Sequence, residues 1–294
     1  MRLIVRFLFA ILMGVTASCS KSGAEPSYLQ VSPPVATSID SVGRVDYQQY
    51  SAFWYFSASQ LIGVLDAPTL THQPSIASPY VGVQQVSVVP GVRQDGVQTS
   101  HIIYPVLQPF AETATLAVGQ THQIMPTFKY KSGVRFLIYD DFENSSRDFG
   151  KDLDTDADSR IAFEANVARN GSTAAKIVVD TMHRVNKVGS NLSVPTNNVS
   201  QRIYFLELDY KSTNSFTVYV RSISQLGAVS EASKIVLYPK NSWNKVYLNL
   251  TKIIRTYSAT NLEIAIGATL DSEFNNTDKK GVILLDNMKL LESY

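Results

Sequence analysis

The sequence predicts an all-β protein, with a small N-terminal β-domain followed by a C-terminal β-sandwich. Strand-forming residues are frequent, including 15 tyrosines and 13 phenylalanines, and polar turn residues recur about every ten positions. Within the stretch 204–210, Tyr204, Leu206, Leu208 and Tyr210 alternate with residues that include Glu207 and Asp209. This alternation is typical of strands that bury one face, and two such sheets packed together form a sandwich.

Composition excludes several classes of function. Charged residues make up 17% of the chain against a usual level of about 25%, and the formal net charge of +1 gives no electrostatic footprint for nucleic acid. A single cysteine excludes an intramolecular disulfide, so the fold depends on its hydrophobic core.

Catalytic motifs are absent from the sequence, and we assign no catalytic residues. There is no Gly-x-Ser-x-Gly elbow, no His-Glu-x-x-His helix and no phosphate-binding glycine loop. A pair of glycosidase carboxylates has no fixed spacing in sequence. A glycan hydrolase therefore remains a remote alternative, and we expect a protein that is not an enzyme.

The first 18 residues predict a signal peptide. Arg2 and Arg6 precede an apolar run, Phe7 to Val15, that is too short to span a bilayer, and small residues lead directly to Cys19. This arrangement resembles a bacterial lipoprotein signal, which implies that Cys19 is acylated and holds the chain at the outer membrane, on the periplasmic or the surface side. The alternative is an ordinary secretory signal with an incidental cysteine.

Residues 19–40 are rich in serine and proline and predict a tether between the lipid and the folded protein. The alternative interpretation is an ordered first strand from Tyr28 to Val31. A turn at Tyr130–Gly133 predicts a boundary between the small β-domain, residues 41–131, and the sandwich, residues 134–294.

The small β-domain contains an aromatic strand, Ala52 to Ser57, and a hairpin partner, Gln60 to Leu65. A third strand, Val81 to Val89, is followed by Pro90-Gly91 and Asp95-Gly96, both of which predict tight turns. The segments LIGVLDAP and VSVVPGV resemble extracytoplasmic β-modules of the PEGA type, which implies a spacer or a binding platform.

The second domain resembles a known group of modules. The segments LIYDDFE, NGSTAAKI, SWNKVYLNLT and GVILLDNMKLL are similar to those of the jelly-roll modules grouped with galactose-binding and carbohydrate-binding domains. This resemblance implies a jelly-roll fold and a glycan ligand. The signal type, the aromatic content and the asparagine-rich turns also resemble proteins of the Bacteroidota.

The same resemblance implies a structural calcium ion between the first and last strands of the jelly roll. Asp140, Asp141, Glu143 and Asp286 occupy the matching places, and carboxylate oxygens are the ligands that calcium prefers. The alternative is that these residues cap turns on a solvated rim.

Sugar recognition uses aromatic faces beside polar side chains. Five aromatic residues lie in candidate settings: Trp54, Trp243, Tyr204, Tyr210 and Tyr219. Our first choice for a ligand face is Thr217, Tyr219 and Arg221. These residues lie on the strand that begins at Phe216, on the side that points away from the core.

The leading hypothesis is a non-catalytic lipoprotein of the cell envelope that binds a glycan or polysaccharide through its jelly roll. The rival hypothesis is a structural or accessory subunit of a secretion, motility or adhesion assembly, with an envelope protein as its partner. Apart from calcium, no cofactor is implied.

Overall fold

A computed structural model describes residues 25–33, 37–39, 45–191, 194–195, 201–256, 261–271 and 279–294. The predicted signal peptide and Cys19 lie outside the described residues. Within the described part of the chain, no helix is long and apolar enough to cross a membrane.

The secondary structure is almost entirely β-strand, which confirms the predicted fold class. The first part of the chain forms β1 (Ser27–Val31), β2 (Thr37–Ile39), β3 (Val45–Tyr47), β4 (Ala52–Ser57), β5 (Gln60–Asp66), β6 (Ser75–Ser78), β7 (Gly82–Arg93), β8 (His101–Ile103), β9 (Phe110–Leu116), β10 (Thr121–Ile124) and β11 (Phe128–Lys129). The rest forms β12 (Arg135–Asp140), β13 (Phe149–Asp152), β14 (Ala162–Ala165), β15 (Thr173–Asp180), β16 (Val185–Ser190), β17 (Val194–Pro195), β18 (Ile203–Ser212), β19 (Phe216–Ile223), β20 (Val229–Leu237), β21 (Lys240–Asn249), helix α1 (Thr251–Thr256), β22 (Asn261–Thr269) and β23 (Lys280–Ser293).

The first eleven strands form the N-terminal unit, which has three small sheets. Their strand orders are β10-β1-β6, β11-β2-β3, and β5-β4-β7-β8 with β9 also paired to β7. Strand β1 lies inside this unit, where Leu29 and Val31 are fully buried in the core. The predicted tether is therefore wrong for these residues, and the alternative of an ordered first strand is the one observed.

Pro90 and Gly91 do not form the predicted turn, because β7 continues through them to Arg93. Strand β9 pairs with β7 as far as Val88, and β8 pairs with it from Gly91 onward. Pro90 lies between these two partners, where the missing N–H costs no ladder hydrogen bond. The second predicted turn, at Asp95 and Gly96, is observed within the loop that joins β7 to β8. Their φ angles are 56° and 67°, as in a type I′ turn, and the N–H of Val97 donates to the Gln94 carbonyl at 3.1 Å.

The later strands form a β-sandwich of two six-stranded sheets. We call the first the covered sheet; its order is β14-β15-β23-β18-β21, with β12 also paired to β23. We call the second the open sheet; its order is β13-β16-β22-β19-β20, with β17 also paired to β22. Alternate residues of both sheets, including Leu206, Leu208, Val218, Val220 and Ile264, meet in one hydrophobic core.

The N-terminal unit packs on the outward face of the covered sheet. Phe205, Tyr247 and Leu291 lie on that face, and they belong to the same hydrophobic cluster as Phe53 and Tyr104 of the N-terminal unit. The ring of Tyr104 makes edge contacts with both Phe205 and Tyr247, at centroid distances of 5.4 and 5.1 Å. The two units therefore share a core, and each buries apolar area that it would expose alone.

A buried ionic cluster lies within this shared core, and its centre is Glu207 on β18. Lys245 Nζ lies 3.3 Å from Glu207 Oε2, and Lys289 Nζ lies 3.8 Å from the same oxygen. From the N-terminal unit, the Tyr104 and Tyr130 hydroxyls donate to Glu207 Oε1 at 2.6 and 3.1 Å. Both halves of the chain thus supply partners to one buried carboxylate, as a buried charge requires.

The cluster keeps the Glu207 carboxyl ionised. Burial acts to raise the pKa of this carboxyl, but the positive charges of Lys245 and Lys289 and the Tyr104 hydrogen bond outweigh it and bring the pKa below its ordinary value. Burial and the nearby negative charge of Glu207 raise the pKa of the Tyr104 hydroxyl well above its ordinary value, so that this hydroxyl remains a donor.

Replacing Glu207 with Gln should destabilise the whole molecule, because buried Lys245 and Lys289 then lose a counter-charge, and for Lys245 the carboxylate of Asp209 remains at 3.5 Å. We expect a loss of about 3–5 kcal/mol in the free energy of unfolding. The same replacement at Glu231, a half-exposed residue of the open sheet, should cost less than about 1 kcal/mol. Urea unfolding of both variants measures the difference.

Tryptophan fluorescence can follow the two units separately, since Trp54 lies in β4 and Trp243 in β21. The variant Trp54→Phe keeps only Trp243 as a probe, and the variant Trp243→Phe keeps only Trp54. With Glu207 present, both variants should unfold at the same urea concentration. Unfolding at two well-separated urea concentrations would contradict a shared core.

Candidate functional site

The predicted ligand face lies on the outward side of the open sheet. Along β19, Phe216, Val218 and Val220 are buried in the sandwich core, whereas Thr217, Tyr219 and Arg221 alternate with them and are partly exposed. The strand pattern therefore places the three predicted residues together on one side of the sheet, away from the core.

Arg221 is held by carboxylates on both neighbouring strands. It pairs with Glu263 on β22, and its Nε lies 3.4 Å from Glu231 Oε2 on β20. Glu263 also accepts a hydrogen bond from Lys151 of β13 at 2.7 Å, and Glu231 pairs with Lys187 of β16. Three cations and two carboxylates thus form a continuous network across five strands, which fixes side chains that would otherwise be mobile.

Tyr219 lies over the middle of the open sheet, where its neighbours are small. Its ring crosses Gly267 so closely that a Cβ atom there would lie 3.0 Å from the ring. Lys187 Nζ lies 4.3 Å from the ring centroid, a cation–π distance. Gly267 and Ala265 are the small residues beneath this part of the face, and the ring lies among charged side chains that are held by ion pairs.

The network also includes residues that the sequence prediction missed: Lys151, Lys187, Glu231 and Glu263. The sequence shows the strands of these residues as alternating segments. It does not show how neighbouring strands align, and that alignment decides which side chains meet. Arg221 stands opposite Glu263 and Glu231 in the ladder, and that pairing is set by turns and bulges along the whole sheet.

Other aromatic candidates have different positions. Tyr204 and Tyr210 are buried in the sandwich core. Trp243 is half-buried on β21, and Trp54 is half-buried on β4 of the N-terminal unit. Of the five aromatic candidates, Tyr219 alone lies on the outward face of the open sheet.

Asp140 and Asp286, two of the four residues predicted to bind calcium, are buried and accept backbone N–H groups. The Asp140 carboxylate accepts from Phe142, Asp148 and Phe149 at 2.9–3.1 Å. The Asp286 carboxylate accepts from Arg169, Asn170 and Asn287 at 2.7–3.2 Å. Each carboxylate therefore closes a loop.

The remaining two residues also bind main-chain donors. Glu143 accepts from the N–H groups of Ser172 and Thr173, both at 2.7 Å, and Asp141 accepts from the N–H of Glu143 at 3.2 Å. Among the described residues, no three side chains of His, Cys, Asp or Glu are grouped as metal ligands. Calcium binding at these four residues therefore stays a prediction.

Burial changes the titration of two of these carboxyls. It raises the pKa of Asp140 to about 6, against the lowering effect of the backbone donors and of Arg147. It raises the pKa of Asp286 to about 7, with a further contribution from the negative charge of Asp209. At neutral pH the folded protein therefore holds a partly protonated carboxyl at Asp286.

Comparisons with known proteins give fold-level likenesses. No family model matches the chain, and no curated protein matches it. Among solved structures, the family 22 carbohydrate-binding module of Clostridium thermocellum Xyn10B is 15% identical over 53% of this chain and 92% of its own, with a TM-score of 0.36. The family 11 module of Lic26A-Cel5E from the same organism is 16% identical over 54% of this chain and 95% of its own, with a TM-score of 0.35.

An exo-β-agarase is also similar, at 13% identity over 53% of this chain and 25% of its own, with a TM-score of 0.38. Several of these similar structures are thus carbohydrate-binding modules. At this level of similarity, the function of the chain has to be argued from its own residues.

Replacing Asp286 with Asn should change how stability depends on pH. The pKa of the Asp286 carboxyl is about 7 in the folded protein and 3.8 in its ordinary, solvent-exposed state, so the folded protein binds this proton more tightly than the unfolded chain does. The contribution of the proton to stability is therefore lost as the pH rises from about 4 to about 7. Relative to the Asp286→Asn variant, the wild type should lose up to ~4 kcal/mol between pH 4 and pH 8. Urea unfolding in the presence of a chelator measures this difference.

A difference that does not change with pH would contradict the raised pKa. Repeating the series with millimolar calcium tests the calcium prediction, because an ion bound at Asp286 would hold the carboxyl ionised and remove the pH dependence. Near-UV circular dichroism at both pH values checks that the variant keeps its fold.

Proposed function

We propose that this protein is a non-catalytic glycan-binding lipoprotein of the bacterial cell envelope, anchored in the outer membrane through Cys19. The glycan lies on the outward face of the open sheet. The observation that carries this proposal is the ordered polar face around Tyr219 and Arg221, in which one aromatic ring stands among charged groups that hold each other in place.

The arrangement suits a sugar chain for a physical reason. A pyranose ring presents C–H groups that pack on an aromatic face and hydroxyls that bond to charged groups at its edge. Tyr219 supplies the ring. Lys187 Nζ lies over the face of this ring, 4.3 Å from its centroid, so a sugar that stacks there displaces the ammonium group. Arg221 lies two residues along the same side of β19. Side chains already fixed by ion pairs lose little entropy when a ligand binds.

The packing of the two units favours the same face. The covered sheet carries the N-terminal unit on its outward side, so the open sheet offers the broad free face of the sandwich. Thr217 lies on the same side of β19, two residues before Tyr219, and adds a hydroxyl to that face.

The charges on this face support binding rather than hydrolysis. A glycosidase needs two carboxyl groups facing the scissile bond, and one of them must carry a proton. Glu231 and Glu263 are instead each bound by two cations, with Arg221 common to both.

Replacing Tyr219 with Ala should weaken glycan binding by about 10-fold, because stacking on an aromatic ring contributes about 0.5–1.5 kcal/mol beyond the area that it buries. The fold should persist, since Tyr219 is only half-buried. A polysaccharide array identifies the ligand, and isothermal titration calorimetry then compares the variant with the wild type.

Tyr238→Ala is the matched control, because Tyr238 is an exposed tyrosine on the turn between β20 and β21. It should bind as well as the wild type. An equal loss in both variants, or binding by neither variant nor wild type to any polysaccharide, would contradict the proposal.

One observation favours the rival function, a structural subunit of an envelope assembly. The outward side of the β5-β4-β7 sheet carries several apolar side chains: Trp54 stands opposite Val64 and Val89, and Val83 on the same side of β7 is 71% exposed. Apolar surface of this kind is typical of protein contacts. A stoichiometric partner that copurifies with the wild type but not with Val83→Glu would favour this function.

Membrane attachment should depend on Cys19 alone. The Cys19→Ala variant should be exported without lipid and should appear in the soluble envelope fraction, whereas the wild type should partition with outer membranes and incorporate labelled palmitate. Membrane association of the variant equal to that of the wild type would contradict lipid anchoring.

A further inference from the structure

A second polar groove lies where the two units meet, away from the open face. The tip of the β7–β8 hairpin, at Gln94 and Asp95, reaches the end of β21 and helix α1. There Gln94 and Tyr247 form an isolated parallel β-bridge, and the N–H of Asp95 donates a hydrogen bond to the Tyr247 carbonyl at 2.8 Å. The groove between these elements has a volume of about 520 Å³, enough for one or two sugar rings.

The lining of this groove carries an excess of positive charge. Lys234, Lys252 and Arg255 line it, and its single carboxylate is Asp95. That carboxylate is already bound, since Lys234 Nζ donates to Oδ2 at 2.8 Å and the N–H of Asn249 to Oδ1 at 2.9 Å. The groove therefore has two cations, Lys252 and Arg255, beyond those that Asp95 balances.

The two cations lie next to each other on one turn of α1, and both are exposed. Within the described part of the chain, Lys252 has no carboxylate within ion-pair distance. Arg255 donates one N–H to the carbonyl of Arg202 at 2.8 Å, which fixes the guanidinium beside the groove. A fixed guanidinium next to a mobile ammonium is suited to a carboxylate.

The other lining residues carry amides and hydroxyls at their tips, among them Gln94, Asn249 and Thr256. Their carbon atoms, together with the stems of the lysines and the arginine, supply most of the exposed lining surface. A ligand for such a groove packs C–H groups on these stems, forms hydrogen bonds at its edge and carries negative charge. Sugars that bear a carboxylate meet these requirements.

We propose that this groove binds an acidic saccharide through the carboxylate of a uronic acid residue, with Lys252 and Arg255 as its charge partners. The site shares no residue with the open face and does not depend on the function proposed for that face. Because residues of both units line the groove, a bound saccharide also links the hairpin of one unit to the helix of the other.

The test uses the mature chain and two matched probes, trigalacturonate and its uncharged analogue galactotriose. Isothermal titration calorimetry should detect binding of trigalacturonate at low salt. At about 0.5 M salt this binding should weaken because of screening, and galactotriose should bind at least tenfold more weakly than trigalacturonate at low salt.

The double variant Lys252→Gln, Arg255→Gln should bind trigalacturonate at least tenfold more weakly than the wild type does. Lys240→Gln, which removes an exposed cation of β21 outside the groove, should bind as well as the wild type.

Other outcomes would overturn the proposal. Equal binding of the two trisaccharides would remove the role of the carboxylate, and equal affinity for inorganic phosphate would mean that the groove takes anions without recognising the sugar. The single variant Lys252→Gln guards against a folding defect at Arg255, since the Lys252 side chain has no structural partner among the described residues. Loss of trigalacturonate binding in Tyr219→Ala would place the ligand on the open face instead.

Discussion

The structure depends on one buried carboxylate, that of Glu207, and on the five groups that surround it. Lysines at 245 and 289 balance its charge from the covered sheet, while Tyr104, Tyr130 and Gln48 reach it from the N-terminal unit. A buried charge without these partners would cost several kcal/mol. The two units therefore stabilise each other: each supplies apolar surface to the other, and together they satisfy a polar cluster that neither could bury alone.

This junction determines which surfaces remain for ligands. It uses the outward face of the covered sheet, and it leaves the face around Tyr219 and Arg221 in contact with solvent. It also creates a groove that a separate sandwich would lack, because the Asp95 hairpin turn closes one side of it. The protein thus has one candidate site built within a sheet and another built between units.

The alternation of apolar and polar residues was enough to predict most strands and the two-sheet fold. The apolar positions Phe216, Val218 and Val220, for example, indicate which side of their strand is buried. The same rule predicted solvent on the other side of β18, where Glu207 and Asp209 are in fact fully buried. Apart from Phe205 on the same side of β18, nothing near those residues signals burial, since the surface that covers them comes largely from positions 48–130. The sequence likewise placed Tyr219 and Arg221 together but could not indicate Glu263 or Glu231, because the register between distant strands brings those side chains into contact.

We infer that the open face of the sandwich binds the glycan while the covered face holds the two units together. Hydrogen–deuterium exchange of the mature protein, with and without a saturating polysaccharide ligand, tests this inference. We expect slower exchange on β16, β19 and β22 when the ligand is bound, and strong protection of β18 and β23 in both states. Ligand-dependent protection on the outward side of β4 and β7, with no change on β19, would contradict it.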